Sequence, residues 1–358
     1  MPQKQVPEPI SFDEALAHSE EAGGPRRILL GNGFSVACRP DAFSYGRLFD
    51  TADFKGLSIS ADELFSREGT TDFEVVIEAL KTAARIVEFY GESPDLASRL
   101  ASDGEKIKLV LAETLAAKHP EFPASLTEAE YKSAREFLAN FEKFYTVNYD
   151  LLLYWSLMHE DELGAPIESD DGFRSDPDDP DAPWVTWDPY RDVSQNVFFL
   201  HGGLHLFDAQ DRLKKLTWSR TGEALVGQIR EALDSSSYPV VVTEGTSAEK
   251  WTRIMHHPYL MAGFRSLARL AKGSLFIYGH SMAANDSHVF DAVVRGKIPQ
   301  LYVGLYGDPE SPANRAIQQR AQELSEVRQD LSPGSRRKPI ALDVQFFDSG
   351  SATVWRSS

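Results

Sequence analysis

Short apolar runs that end abruptly in glycine or polar residues constrain the fold of this 358-residue chain more than any other feature. Near-continuous apolar runs of this length are typical of strands buried on both faces, as in a parallel sheet. The runs lie at residues 27–30, 144–147, 197–200, 238–243, 274–278 and 301–305, with a seventh candidate at 341–347.

Segments with a helical period of apolar residues lie between most of these runs. In residues 72–90, for example, Phe73, Val76 and Ile77 begin an apolar face that continues along the segment. Strands alternating with helices predict an α/β fold with an open, mostly parallel sheet and helices on both faces. Residues 61–140 contain three helical segments with no strand between them, which predicts a helical insertion.

A second interruption of the pattern is the stretch of residues 161–195, which is rich in aspartate and proline. Its composition predicts a long solvated loop. Trp184 and Trp187 lie within it, and they make the loop a candidate lid.

The charge and cysteine content exclude several classes of function. The net charge is −17, and a surface this acidic repels nucleic-acid phosphates and anionic lipids. We therefore expect no direct binding to nucleic acid or to a membrane surface.

Cys38 is the only cysteine, so the chain has no internal disulfide and no cysteine-rich zinc site. With neither a signal-peptide pattern nor a long apolar run, the sequence predicts a cytoplasmic protein.

The first apolar run leads directly into Gly31, Asn32 and Gly33, with Ser35 two residues later. Glycines allow a tight turn and a close approach of the backbone to a phosphate, and a helix start offers unpaired N–H groups. The pattern is not the dinucleotide fingerprint G-x-G-x-x-G, because Val36 occupies the third glycine position. An ordinary strand-to-helix turn is the alternative.

Two further apolar runs end next to polar side chains. Asn148 could hold a ribose hydroxyl or orient a water molecule, and the alternative is a helix cap. His201 could act as a general base because its ordinary pKa lies near the working pH, and the alternative is a structural histidine. Both residues follow their strands at once.

Gly279, His280 and Ser281, and then Asn285 and Asp286, follow another run and could bind the edges of a ribose or an adenine, or form only a turn and cap. The four strand ends are more informative together than singly. Ligands of open α/β sheets bind beyond the carboxyl ends of the strands. We therefore expect the four to converge on a nucleotide-sized pocket, and no pattern in the sequence predicts a metal site.

The ordered set of Gly31-Asn-Gly-Phe-Ser35, Thr146-Val-Asn-Tyr-Asp150, His201-Gly202 and Gly279-His-Ser281 resembles the SIR2-like superfamily. That superfamily includes the sirtuins and bacterial NAD-consuming defence effectors. The sequence as a whole looks like the family known as DUF4917. The resemblance implies a single Rossmann-like domain over residues 1–358 that binds NAD.

The resemblance also implies a role for each motif residue. Gly31, Gly33 and Ser35 would contact the phosphates and the nearby ribose, together with Asn32. Asn148 would lie beside the nicotinamide ribose, and His201 would act as base. The loop of Gly279, His280 and Ser281 would face a ribose, and Asp150 would support the site.

Two departures from the sirtuin pattern narrow the expected activity. Sirtuin deacylases hold a structural zinc with four cysteines, so this chain should bind no zinc and should not deacylate proteins. Val147 also replaces the glutamine that precedes the motif asparagine. The resemblance therefore favours an NAD glycohydrolase that cleaves the nicotinamide–ribose bond, in the context of antiviral defence. The alternatives are a nucleotide-sensing module that signals to a partner, a nucleosidase or an ADP-ribosyl transferase. Regulation by a second copy or by a partner protein is left open.

Overall fold

A computed structural model describes residues 8–91, 93–159, 167–191, 194–209, 212–243, 246–330 and 340–356. The strands are β1 (Arg26–Leu30), β2 (Lys143–Thr146), β3 (Phe173–Ser175), β4 (Trp184–Trp187), β5 (Val197–Phe199), β6 (Gly202–Ala209), β7 (Arg212–Leu216), β8 (Pro239–Val241), β9 (Ser274–Tyr278), β10 (Gln300–Leu305) and β11 (Asp343–Asp348). The helices are α1 (Phe12–Ala22), α2 (Gly33–Cys38), α3 (Pro40–Phe43), α4 (Tyr45–Thr51), α5 (Ala61–Glu68), α6 (Phe73–Tyr90), α7 (Pro94–Lys118), α8 (Glu128–Leu138), α9 (Leu152–Met158), α10 (Trp218–Thr221), α11 (Leu225–Asp234), α12 (Ser247–His256), α13 (Pro258–Ala268), α14 (Ser287–Arg295) and α15 (Pro312–Asp330).

Six strands form one parallel sheet in the order β11-β10-β9-β1-β2-β5. Counted along the chain among these six, the order is that of the Rossmann fold, 3-2-1-4-5-6. Right-handed crossovers on the two sides of β1 place their helices on opposite faces of such a sheet. The prediction of an α/β fold with a parallel sheet is therefore confirmed. The central strands are buried along most of their length, which explains their continuous apolar sequences.

The sequence did not predict the second sheet, which is antiparallel. It has the order β3-β4-β7-β6-β8. The apolar run at 238–243 provides β8, which pairs with β6 and not with the parallel sheet. That run looks like a parallel strand because β8 is also largely buried, and apolar periodicity does not reveal which sheet a strand joins.

The stretch of residues 161–195 also differs from the single solvated loop that we expected. It contains β3, which pairs with β4, and β4, whose aromatic and β-branched residues also pair with β7. Trp187 is buried with its ring edge-on to Tyr259, at 5.4 Å between centroids. Residues 160–166 and 192–193 of this region lie outside the described part of the chain.

The described residues between β1 and β2 form helices α2 to α8 with no strand among them. The longest of these helices, α6 and α7, lie against each other. Asp72 caps the start of α6, since its carboxylate accepts a hydrogen bond from the N–H of Glu74, and Gly91 in the left-handed conformation caps the other end. This cap fixes the position of Glu74 in the first turn. Among the described residues, no helix is both long and apolar enough to cross a membrane.

Candidate functional site

A cavity of about 260 Å³ lies where the strand order reverses, beyond the carboxyl ends of β1, β2, β5 and β9. The first turn of α6 and the segment after β9 close its other side. Its polar lining consists of Asn32, Tyr45, Asp72, Glu74, Asn148, Tyr149, Asp150, His201, His280, Ser281, Asn285 and Asp286. Ligands of Rossmann-like sheets bind at this position, so the cavity is the candidate functional site.

The glycines after β1 and β9 bring two backbone loops into contact. The N–H of Gly33 donates to the carbonyl of Gly279 at 2.8 Å, and the N–H of Gly31 donates to the carbonyl of Tyr278 at 2.9 Å. A Cβ atom on Gly33 would lie 2.5 Å from Gly279 Cα, so no other residue fits there. Gly31 and Gly33 do not line the cavity, whereas Gly279 does. The small size of Gly31 and Gly33 allows the two loops to come into contact, and neither glycine contacts the cavity directly.

Asn148 is held from behind by residues that follow β1. Its side-chain nitrogen donates to the carbonyl of Gly31 at 3.0 Å and to Ser35 Oγ at 2.9 Å. Ser35 Oγ in turn donates to Asp150 Oδ2 at 2.5 Å. Ser35 is fully buried and lies outside the cavity lining, while Asn148 and Asp150 belong to it. Because both N–H groups of the Asn148 amide are engaged, its carbonyl oxygen is the atom that can accept a hydrogen bond from a ligand.

His201 occupies the junction between the two sheets, after β5 and before β6. The next residue, Gly202, has a φ of +80°, and a Cβ atom there would lie 1.8 Å from the carbonyl oxygen of Val240. Glycine is therefore required for the turn from one sheet into the other. The ring of His201 lies 2.9 Å from that of His288, measured between the two Nε2 atoms. His288 Nδ1 lies 3.1 Å from Ser247 Oγ.

The remaining predicted residues lie at the rim and wall of the cavity. Asn32 donates from its side chain to the carbonyl of Phe43 at 3.1 Å. His280 Nδ1 accepts the N–H of Met282 at 2.8 Å, and its buried Nε2 has no hydrogen-bond partner among the described residues. Ser281 is exposed. The structure thus brings Asn32, Asn148, Asp150, His201, Gly279, His280 and Ser281 together and leaves Gly31, Gly33 and Ser35 behind the wall.

A buried ionic network forms the far wall of the cavity. Lys250 on α12 is fully buried, and its ammonium group lies 2.6 Å from Glu74 Oε2 and 2.9 Å from Asp286 Oδ1. Glu74 Oε1 also lies 2.9 Å from the hydroxyl of Tyr149. Asp286 Oδ2 lies 3.5 Å from His280 Nε2. One cation is therefore shared by two carboxylates that line the cavity.

Burial and neighbouring charges set the protonation states of this network. Burial raises the pKa of Glu74 to about 7, with Asp286 and Asp72 adding to the rise and Lys250 opposing it. Burial would also raise the pKa of Asp286, but the surrounding histidines and Lys250 hold it below its ordinary value. Glu74 is consequently a carboxyl group in the cavity that can exchange a proton near neutral pH.

The three histidines of the site are less basic than usual. Burial lowers the pKa of His201 well below its ordinary value, lowers that of His288 to about 4, and also lowers that of His280. All three rings are therefore neutral at pH 7. Neutral rings can donate and accept hydrogen bonds, but His201 is a weaker base than its position after β5 suggested.

Three of these groups could also hold a metal ion. One ligand atom from each of His201, Asp286 and His288 lies within 4.8 Å of the other two. Lys250 Nζ already lies 2.9 Å from Asp286 Oδ1, the oxygen that lies 4.0 Å from His201 Nε2, so a metal ion would compete with the ammonium for this oxygen.

Sequence reasoning did not find Glu74, Lys250, His288 or Tyr149. Glu74 and Lys250 each lie in the first turns of a helix, where charged residues are common and usually exposed. They are separated by 176 positions in the chain, so no local pattern joins them. Tyr149, between Asn148 and Asp150, could have been found from its place at a strand end.

Comparison with known proteins agrees with the extent of the fold. The sequence model of a family described as "Domain of unknown function (DUF4917)" matches residues 28–355. These residues include every strand of the parallel sheet from the third residue of β1 to the end of β11. A comparison with curated proteins finds no match. The chain belongs to the DUF4917 family.

Proposed function

We propose that the cavity binds the nicotinamide riboside end of NAD and that the protein hydrolyses the nicotinamide–ribose bond. The resemblance of the strand-end motifs to the SIR2-like superfamily supports NAD as the ligand. The acidic lining of the cavity supports an orientation with the nicotinamide end of NAD inside, because the nicotinamide ring carries a positive charge. The negatively charged pyrophosphate would then lie toward the rim. By the same resemblance, the activity would belong to antiviral defence.

The chemistry of this reaction defines what the protein must supply. When the bond between ribose C1′ and the ring nitrogen breaks, the electron pair stays on nitrogen and nicotinamide leaves as a neutral molecule. Positive charge develops on the ribose, water adds to C1′, and one proton is released. The products are nicotinamide, ADP-ribose and a proton. The site must therefore stabilise a cation and accept a proton.

The described side chains match these needs. Asp286 stays ionised and can stabilise the developing cation, while the carbonyl oxygen of Asn148 can orient a ribose hydroxyl or the attacking water. Glu74 has a pKa of about 7, which suits a proton acceptor at neutral pH. We propose that Glu74 accepts the released proton and that the neutral ring of His201 orients the ribose.

One observation carries the proposal. Carboxylates at Asp72, Glu74 and Asp286 lie with Asn148 and His201 around one cavity at the reversal of a Rossmann strand order. Such a lining disfavours a phosphate in the interior and favours a cationic reacting group.

Nicotinamide release from NAD tests the proposal, measured by chromatography with the purified full-length protein. We expect release by the wild type and a loss of roughly a hundredfold or more in Asn148→Ala and Glu74→Gln. Gln319→Ala, an exposed amide on α15, is the matched control and should keep full activity. Equal release by all four proteins would refute the site, and NAD binding by the wild type without any release would refute the reaction.

A nucleotide-sensing module is the second candidate, favoured by the contact of His201 with His288 at 2.9 Å. A ring committed to another side chain suits a structural role better than turnover. In this case NAD should raise the melting temperature of the wild type, Glu74→Gln should keep that shift, and no nicotinamide should appear.

A further inference from the structure

A second groove lies at the opposite end of the parallel sheet, where the strands begin. Its volume is about 1090 Å³. Arg27 in β1 and Lys143 in β2 contribute to one side, and the segment after β4 and helix α13 contribute to the other. The groove is therefore separated from the candidate functional site by the length of the strands.

The charge of this groove is opposite to that of the whole chain. Among the described residues, six basic side chains line it against a single acidic one, Asp188, in a protein with a net charge of −17. The basic residues are Arg27, Lys143, Arg191, Arg265, Arg269 and Lys272. The negative net charge of the chain therefore conceals a local region of positive charge. The electrostatic potential at a site, and not the net charge, determines which charged ligands bind there.

Within the described part of the chain, none of these six side chains forms an ion pair with a carboxylate. Arg27 donates to the backbone carbonyls of Pro25, at 3.1 Å, and Lys272. Lys143 donates to Ser266 Oγ at 3.3 Å. These neutral partners hold the charges in place without cancelling them. Burial lowers the pKa of Lys143, and the nearby charge of Arg27 lowers it further.

The helix dipole explains only part of this arrangement. Arg265 lies in the last turn of α13, where a positive charge is favourable in any protein. That argument does not cover Arg27 and Lys143, which lie on strands, or Arg191, which follows β4. Basic residues from four separate parts of the chain therefore converge on one concave surface.

The groove also offers an aromatic ring and an apolar floor. Tyr190 is 94% exposed and lines the groove, while Trp187 and Phe198 lie buried beneath it. An exposed ring beside several cations matches a ligand that joins phosphates to a flat base. An acidic peptide would need the charges but would leave Tyr190 without a role.

We propose that this groove binds the phosphates of a nucleotide, either free or within a single strand of nucleic acid, with the base stacked on Tyr190. The proposal is independent of the activity assigned to the cavity at the other end of the sheet. Its probes contain no nicotinamide, so either idea can fail alone.

The test measures binding to the full-length protein at low salt. ATP represents the free nucleotide, a fluorescein-labelled single-stranded oligothymidylate represents nucleic acid, and inorganic tripolyphosphate represents charge alone. Calorimetry follows ATP and tripolyphosphate, and fluorescence anisotropy follows the oligonucleotide. The variants are Arg269→Glu with Lys272→Glu, and Tyr190→Ala. All three residues are exposed. The matched control is Arg67→Glu with Lys132→Glu, which makes the same charge change at exposed positions on α5 and α8.

We expect one of the two nucleotide probes to bind, and the tighter one identifies the source. Arg269→Glu with Lys272→Glu should weaken that binding roughly tenfold or more, because two attractive phosphate contacts become repulsive. Tyr190→Ala should weaken it several-fold, and the control should bind like the wild type. The proposal is overturned by no binding of either nucleotide, or by an equal loss in the control. It is also overturned if tripolyphosphate binds as tightly as the nucleotide and Tyr190→Ala has no effect.

Discussion

Replacing Lys250 with methionine should strongly destabilise the protein, because the side chain is fully buried between two carboxylates. At 2.6 Å from Glu74 and 2.9 Å from Asp286, each attraction amounts to roughly 6 kcal/mol at an effective dielectric constant of about 20. Desolvation of the buried ammonium offsets several kcal/mol of this gain. Removing one partner of a buried ion pair typically costs about 3–5 kcal/mol, since the remaining charge is left uncompensated. We expect a loss in that range at pH 8.

Urea unfolding of the wild type and Lys250→Met, followed by tryptophan fluorescence across pH 5–8, measures this loss. The loss should shrink as the pH falls, because Glu74 takes up a proton and needs the ammonium less. The double variant Glu74→Gln with Lys250→Met should recover part of the stability at pH 8. Lys132→Met, at an exposed position on α8, should stay within about 0.5 kcal/mol of the wild type. A loss below about 1 kcal/mol at pH 8, or one that does not change with pH, would refute the buried network.

Three further predictions concern other parts of the site. Gly33→Ala should lower the melting temperature and distort the loop after β1, because its Cβ would lie 2.5 Å from Gly279 Cα; an unchanged melting curve would contradict this close contact. Glu74→Gln should become more stable relative to the wild type as the pH rises. The folded-state pKa of about 7 exceeds the ordinary 4.5, so the contribution of Glu74 is fully present below pH 4.5 and is lost through pH 7, roughly 3 kcal/mol in all. Stability curves of the two proteins that stay parallel from pH 4 to 8 would exclude the shift. His288→Ala should cost about 1–3 kcal/mol by leaving a buried ring nitrogen of His201 unpaired, and urea unfolding without a change of midpoint would rule out that hydrogen bond.

The parallel sheet could be predicted because its strands carry a signal that is local in sequence. Buried parallel strands are continuous apolar runs, and the residues that follow them are the ones that converge at the sheet edge. For this reason Asn148, His201 and Gly279 were found from sequence, and all three line the cavity. The antiparallel sheet could not be recognised in the same way, because the apolar run of β8 looks like a parallel strand and β3 has no continuous apolar run.

The ionic wall could not be predicted for a different reason. Glu74 and Lys250 meet only after the helices between β1 and β2 fold against α12, and neither residue stands next to a strand. The roles of Gly31 and Gly33 show the converse case. Their sequence pattern fits a phosphate loop and a loop-to-loop contact equally well, and only the position of Gly279 separates the two.

The pairing of β1 with β9 has a consequence for how the protein is made. Arg26 pairs with Ser274 and Leu30 with Tyr278. One neighbour of β1 in the sheet is therefore synthesised much later than β1 itself. Until that partner has left the ribosome, β1 has an open edge and the cavity lacks the wall formed by Gly279, His280 and Asp286. A nascent chain therefore has no complete site. For the proposed activity, this order of synthesis would protect the cell from NAD loss until the chain beyond Asp286 had been made.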